Sequence, residues 1–465
     1  MADSGRQSSE VRPDLAATGA APPGQAPPGS TPPGSTPPGL APFRRLRRDG
    51  TRIRYGPGVF LSRDFLRFLG PGFIVTVGFI DPGNWATNVA GGSSFGYSLL
   101  WVITMSTLML ILLQNMSARL GIVTGHSLAY NVRQRFSPRW TALFGGSVVV
   151  ACVATDVAEL LGGALGFKLL FGFPLIVGGT ITVVLKIALI YTGRYRHIER
   201  VIVAFIAVVS LCYLLELALV HPAWGSAARG AFIPHLNLAS IAIAIGMMGA
   251  VVMPHNLYLH SNVVLNRDLP SDEEGRHRLI MYEKGDTALA MGLGWLINCA
   301  MVVVAAAVFF RHGIVVTSLE QASATLQPLA GSLARYLFGI GLLTAGLGAS
   351  FTSSMAEVNV LTAYLGRPEN PRSTFYRVGL FVLAIPALAV VASGLDSFKI
   401  LVYSQVALSI QLPLTIAPLL LLASDKRVMG RFVSGPTERI LGIAAGVVVV
   451  ALNVFFLYEI AGGTF

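Results

Sequence analysis

Two short stretches set ligand-type side chains beside helix breakers inside otherwise apolar sequence. The first is Asp81-Pro82-Gly83-Asn84, between GPGFIVTVGFI and WATNVAGGSSFGYSLLWVI. The second is Met253-Pro254-His255-Asn256 within GAVVMPHNLYLH, which ends on His260. Proline lacks a backbone donor and glycine loosens the chain, so each stretch predicts a broken helix with freed carbonyls, the first break falling at Pro82-Gly83. Within a bilayer such a break is tolerated only where protein or water covers it, so Asp81 and Asn84 are expected to face a polar cavity. Asp81 offers an anionic oxygen, Asn84 a neutral one, the open backbone more oxygens, and Met253 a thioether sulfur. Mg²⁺ and Ca²⁺ prefer all-oxygen shells. A mixed oxygen–sulfur set favours softer divalent ions, Mn²⁺ or Fe²⁺.

A third set is Ala154-Thr155-Asp156-Val157-Ala158-Glu159. Asp156 and Glu159 stand one helical turn apart on a common face. Both cannot be ionised cheaply, so one is expected to hold a proton at neutral pH. With Asp81 and His255 they form a candidate proton route, and His260 is counted with it. Gln405 and Gln411 in VYSQVALSIQLPL, Glu216 and Lys186 complete the buried polar set. Glu216 and Lys186 adjoin no helix break and are expected to have structural or interfacial roles.

The elements that hold these residues must be membrane helices. The chain has 465 residues, 53% hydrophobic and 12% charged, with mean hydropathy +0.65, which fits a polytopic membrane protein and not a soluble one. Eleven apolar runs of spanning length lie near 67–93, 98–122, 141–167, 173–192, 198–220, 239–262, 286–310, 332–364, 376–393, 398–422 and 438–458. The eighth is over-long. Breaks in spans one and six point to a transporter of two inverted five-helix repeats with a site at the midplane. Span eleven is then appended. Such a chain is all-α, with residues 67–458 as its transmembrane domain.

Charge sets the orientation. Of the Lys and Arg residues, 28 fall before span one or in the loops after even-numbered spans, five fall on the opposite side, and Lys186 lies within a span. The positive-inside rule puts the N-terminus in the cytoplasm and, after eleven spans, the C-terminal residues 459–465 outside. The net charge of +11 is thus a topology signal, and the short loops leave no room for a nucleic-acid-binding domain. Residues 1–43 are Pro/Gly-rich, lack a signal-peptide layout and are expected to be a disordered cytoplasmic tail; 44–66 form a basic juxtamembrane segment. Cys152, Cys212 and Cys299 have no metal-ligand spacing and are read as buried thiols. The H-E-x-x-H pattern of zinc peptidases is missing around His255 and His260, which argues against an enzyme of that class.

DPGN in span one, ATDVAE in span three, MPHNLYLHS in span six, SQVALSIQLP in span ten and SDKRVMGRFV after it occur in the order found in the Nramp family, which the chain resembles from about Gly70 to Tyr458. The resemblance implies a LeuT-like fold of eleven transmembrane helices. It also implies import of Mn²⁺ and Fe²⁺ with protons across a bacterial inner membrane, with no cofactor and with a monomer as the working unit. By motif position, Asp81, Asn84, Met253 and the Ala250 carbonyl match the family's metal ligands, and Gln405 matches a residue that approaches the metal. His255, Asp156 and Glu159 match its proton path. Two places depart from the pattern. A Glu that many members carry is Val149 here, and two Arg of span nine are replaced by Tyr376 and Leu380, with Arg377 adjacent. These departures leave uncoupled metal passage as an alternative to symport. A LeuT-like symporter for an organic solute is a second alternative, but Asp81 would repel a substrate carboxylate.

Overall fold

The computed structural model of the chain describes Phe65 and residues 68–461, apart from 192–194 and 368. The expected tail over 1–43, the basic segment over 44–66 save Phe65, and residues 462–465 of the C-terminal end lie outside the described residues. The described residues are helical throughout, with no strand among them.

In chain order the helices begin with α1 (Pro71–Gly78), α2 (Pro82–Phe95), α3 (Leu100–Thr124), α4 (Leu128–Arg135), α5 (Pro138–Phe171) and α6 (Leu175–Tyr191). They continue with α7 (Tyr195–Leu219), α8 (Trp224–Phe232), α9 (Ile241–Val251), α10 (Pro254–Val263), α11 (Glu273–Val308) and α12 (Leu319–Ala330). Last come α13 (Ser332–Tyr364), α14 (Thr374–Ala392), α15 (Ser397–Ser424), α16 (Lys426–Met429) and α17 (Pro436–Ile460). Nine helical stretches among the described residues are long and apolar enough to cross a membrane. The other two expected spans are α1–α2, divided into 8 and 14 residues, and α6, an apolar helix of 17. Span eight is long, as expected, at 33 residues, but α5 and α11 reach 34 and 36. The α11 extension begins with the polar run Glu273-Glu274-Gly275-Arg276, which a search for apolar runs passes over.

The first break lies three residues earlier than expected. Pro82 and Gly83 do not interrupt a helix; they begin one. Proline at the first helical position forfeits only a donor that has no intrahelical partner anyway. The interruption falls at Phe79–Asp81, and Asp81 caps α2 by accepting from the backbone N–H groups of Asn84 (2.9 Å) and Gly83 (3.2 Å). The second break is built the same way, with α9 ending at Val251 and Pro254 opening α10 after the extended residue Met253 (φ −73°, ψ 124°).

Burial sorts the helices into a centre and a periphery. The apolar segments of α13, α5 and the α9–α10 pair are 83%, 78% and 78% buried, against 39%, 33% and 28% for α14, α7 and α17. The peripheral helices expose Leu214, Ile385 and Ile440, the outward apolar surface that lipid covers. The central helices carry the ionisable residues. α5 and α13 cross closely, and a Cβ on Gly346 would come within 2.5 Å of the Gly163 nitrogen. Cys152 and Cys212 are buried, as expected, whereas Cys299 is only partly so.

Candidate metal centre

Asp81 is fully buried at the N-terminus of α2. Its Oδ1 accepts from Asn84 N–H, and its Oδ2 accepts from Gly83 N–H and from the Gln405 side chain at 3.2 Å. Asn84 donates to the Phe79 carbonyl that the break frees, and its own Oδ1 accepts from Asn88 at 3.1 Å. Both oxygen-bearing side chains are thus held before any ligand arrives.

The two breaks meet at α15. A Cβ at Gly83 would overlap the Gln405 amide, and a Cβ at Gly249 would overlap the Gln405 backbone carbonyl and approach Ser409 N within 2.8 Å. Only a residue without a side chain lets α15 lie against both broken helices here. Ala250 follows Gly249 directly in the last turn of α9 and is fully buried. On the other side of the second break, the Met253 sulfur lies 3.5 Å from Asn256 Nδ2, and the same amide lies 2.5 Å from where a Gly78 Cβ would stand. Asp81, Asn84 and Gln405 are thus joined at the first break, while Ala250 follows the Gly249 that meets α15 and Met253 lies at the second break. Among the described residues, no three His, Cys, Asp or Glu side chains group as a metal cage. The junction instead offers one carboxylate among neutral oxygen and sulfur donors, a set suited to holding a divalent ion loosely enough to release it.

The predicted proton-route residues separate into two groups. In the first, Ser353 of α13 donates to Glu159 and lies 3.5 Å from Asp156 Oδ1, so α13 ties the two α5 carboxyls together. His255 of α10 approaches them, its Nδ1 being 3.5 Å from Thr155 Oγ1, while its Nε2 has no hydrogen-bond partner among the described residues. His260 stands elsewhere. It bonds Glu283 of α11 at 2.6 Å and Gln114 of α3 at 2.9 Å. Asp286, one turn beyond Glu283, accepts from the Gly70 and Gly72 N–H groups at the start of α1.

Among the remaining buried polar groups, Glu357, Glu283 and Asp286 are ones that the sequence reading does not single out. Lys186 is not interfacial: it is 1% exposed and bonds both Asp156 oxygens, at 2.7 and 2.9 Å. Glu357 of α13 lies within the field of Asp156 and Lys186 and is 1% exposed. Its only sequence signal is one carboxyl in the apolar run GLGASFTSSMAEVNV. Glu283 and Asp286 sit at the edge of the α11 extension and have helical i, i+3 spacing as their signal. Glu216 is buried, with both carboxyl oxygens unpartnered among the described residues. Gln411 of α15 bonds Ser147 and Thr415. Val149, Tyr376 and Leu380 pack with Ile190, Val153, Val358 and Leu383 in one apolar cluster.

A family model described as Natural resistance-associated macrophage protein-like (Nramp) matches residues 72–459. A divalent metal cation transporter MntH from Caldanaerobacter subterraneus subsp. tengcongensis is 40% identical over 406 residues, covering 86% of this chain and 94% of that protein. Among solved structures, a manganese transporter of Eremococcus coleocola superimposes with a TM-score of 0.73 at 29% identity, covering 85% of this chain and 87% of its own. A nucleobase-cation-symport-1 family transporter in a closed conformation reaches 0.58 at 17% identity, covering 84% of this chain and 87% of its own, a likeness of fold alone. The fold is accordingly the LeuT-like one.

Proposed function

The chain belongs to the Nramp family, and on that premise we propose that it imports divalent transition-metal ions, Mn²⁺ and with it Fe²⁺, across a bacterial inner membrane together with protons. The observation that carries this reading is the approach of two helix breaks to one turn of α15, where the buried carboxylate of Asp81 caps the first break and accepts from Gln405. Asp81, Asn84, Met253 and the Ala250 carbonyl replace part of the ion's hydration shell, and Gln405 completes the shell in some states. The breaks let the two repeats tilt about a fixed site, which supports alternating access. The N-terminus lies in the cytoplasm and the C-terminus outside, and a monomer is the working unit. The relatives are transporters by name, and no catalysis is proposed.

Asp81, His255, Asp156 and Glu159 line the path of the accompanying proton, and His260 with Glu283 extends the polar path on the other side of α10. The membrane potential assists, since each elementary charge moved inward gains about 2.3 kcal/mol per 100 mV. One observation favours a second reading, uncoupled passage: Val149, Tyr376 and Leu380 form an apolar cluster beside the α5 carboxyls. Mn²⁺ uptake by reconstituted proteoliposomes, with internal pH followed at the same time, decides between them. Acidification that tracks uptake supports symport, uptake without acidification supports passage alone, and absence of uptake refutes both.

A further inference from the structure

The Lys186–Asp156 pair and Glu357 suggest a role that the family resemblance does not assign. Lys186 is buried on α6, and its ammonium sits between the two oxygens of Asp156 at 2.7 and 2.9 Å. Near this one ammonium are three buried carboxyls, of which Asp156 bonds it; Glu159 lies one turn along α5 and shares Ser353 with Asp156, and Glu357 lies one turn beyond Ser353 on α13. A charge in so dry a place is stable only when paired. Lys186 is spent on Asp156, so the group is neutral only when Glu159 and Glu357 carry protons. One oxygen of Glu159 and one of Glu357 have no hydrogen-bond partner among the described residues. Groups locked into a purely structural network leave few such atoms. Ser353, one turn before Glu357, donates to Glu159 and approaches Asp156, and Ser354 lies 3.4 Å from Asp156. The remaining titratable groups around the cluster are Cys152 on α5, His255 beyond Thr155 on α10 and, through the field at Glu159, Asp81 on α2. From α14, the phenol of Tyr376 and the apolar Leu380 and Leu383 pack on this side with Val358 and Ile190.

We propose that Lys186 and Glu357 are working parts of the proton path: Lys186 is the fixed cation that keeps Asp156 a carboxylate, and Glu357 shares the mobile proton with Glu159. This rests on the reading of the chain as a proton-coupled metal importer. A proton entering the cluster is bonded in turn to Glu159 and Glu357 oxygens and leaves toward the cytoplasm as H⁺; no other bond forms or breaks. Lys186 transfers no proton and acts as a positioning residue. The apolar cluster of Val149, Tyr376 and Leu380 then costs the path nothing, because its charges come from α6 and α13.

The test reconstitutes the full chain in proteoliposomes and records Mn²⁺ uptake and internal pH together, with external pH varied from about 5 to 8. Lys186→Gln and Glu357→Gln are each expected to lower proton entry per Mn²⁺ by at least about threefold and to flatten the pH dependence of uptake. Lys186→Arg, which keeps the charge, is expected to restore most of both. Wild-type stoichiometry and pH profile in Lys186→Gln and Glu357→Gln overturn the proposal. If Lys186→Gln does not fold, Glu357→Gln decides: lowered proton entry per Mn²⁺ supports the proposal, and wild-type coupling and pH profile overturn it. Wild-type protein that takes up Mn²⁺ without moving protons refutes the coupling premise, and the inference falls with it; that result is distinct from coupled wild-type flux left unchanged by the variants.

Discussion

The Gln405 side chain donates to Asp81 Oδ2 at 3.2 Å across 324 residues of sequence, and the space it occupies exists because residue 83 is glycine. This one relationship joins α15 to the first helix break, while the Gln405 carbonyl against Gly249 joins the same turn of α15 to the second. Three expectations follow from it and from the groups around it, and a fourth concerns a loop carboxyl outside the spans.

Gly83→Ala forces the Gln405 amide out of its place. Overpacking of this kind costs about 1–3 kcal/mol. The variant should melt at lower temperature in detergent and take up less Mn²⁺. Pairing it with Gln405→Ala should recover most of the stability. No recovery in the double variant places the damage elsewhere.

Asp81→Asn keeps the size of the side chain and removes the only anionic oxygen among the proposed ligands. Mn²⁺ uptake in proteoliposomes should fall by at least about tenfold, and a melting temperature near wild type would certify the fold. Retained uptake removes the central claim about the site.

Met253→Ala takes away the thioether of the proposed site, the one donor in it that favours soft over hard divalent ions. Ca²⁺ or Mg²⁺ should then compete with Mn²⁺ uptake at roughly tenfold lower concentration. Unchanged competition means that the thioether packs and does not ligate.

Outside the spans, Glu369 follows α13 in the loop before α14 and accepts from Ser127 (3.0 Å) and from Asn262. Burial raises its carboxyl from an ordinary 4.5 to about 7, with the Ser127 hydroxyl opposing the shift. The folded state therefore binds this proton more tightly than the unfolded chain does. Its contribution to stability is fully present below about pH 4.5 and is lost as pH rises through about 7. For a half-buried group the effect is on the order of 1 kcal/mol. Melting followed at pH values across this range should show Glu369→Gln losing less stability than wild type toward alkaline pH. Parallel curves for the two proteins refute the assignment.

Much of the architecture was legible because it depends on local or periodic signals. Apolar runs mark spans wherever a helix meets lipid on some face, and α13 begins and ends where its run does. The α11 extension was missed because its residues are polar, and hydropathy does not register a helix that leaves the hydrocarbon. Pro82 was correctly seen as a boundary but assigned to the wrong side of it. A proline ends a helix only if its missing N–H was needed, and at the first helical position it is not. Asp81 and Asn84 stand out in the sequence because a carboxylate and an amide beside a break have few other uses within a bilayer, and both lie buried at that break.

Lys186 and Glu357 were not legible in the same way. Each is a single charged residue in an apolar run, and sequence alone gives such a residue no partner. By itself the sequence determined the membrane spans, the existence of two breaks and the types of side chain beside each, since these follow from side-chain chemistry and backbone sterics within a few residues. The tertiary structure decided that Gln405 lies between the breaks, that His260 pairs with Glu283 and not with Asp156, and that the cation beside Asp156 comes from α6. Those outcomes depend on which helix faces pack together, and packing is set by contacts between residues far apart in the chain, through glycines whose only signature is the side chain they lack.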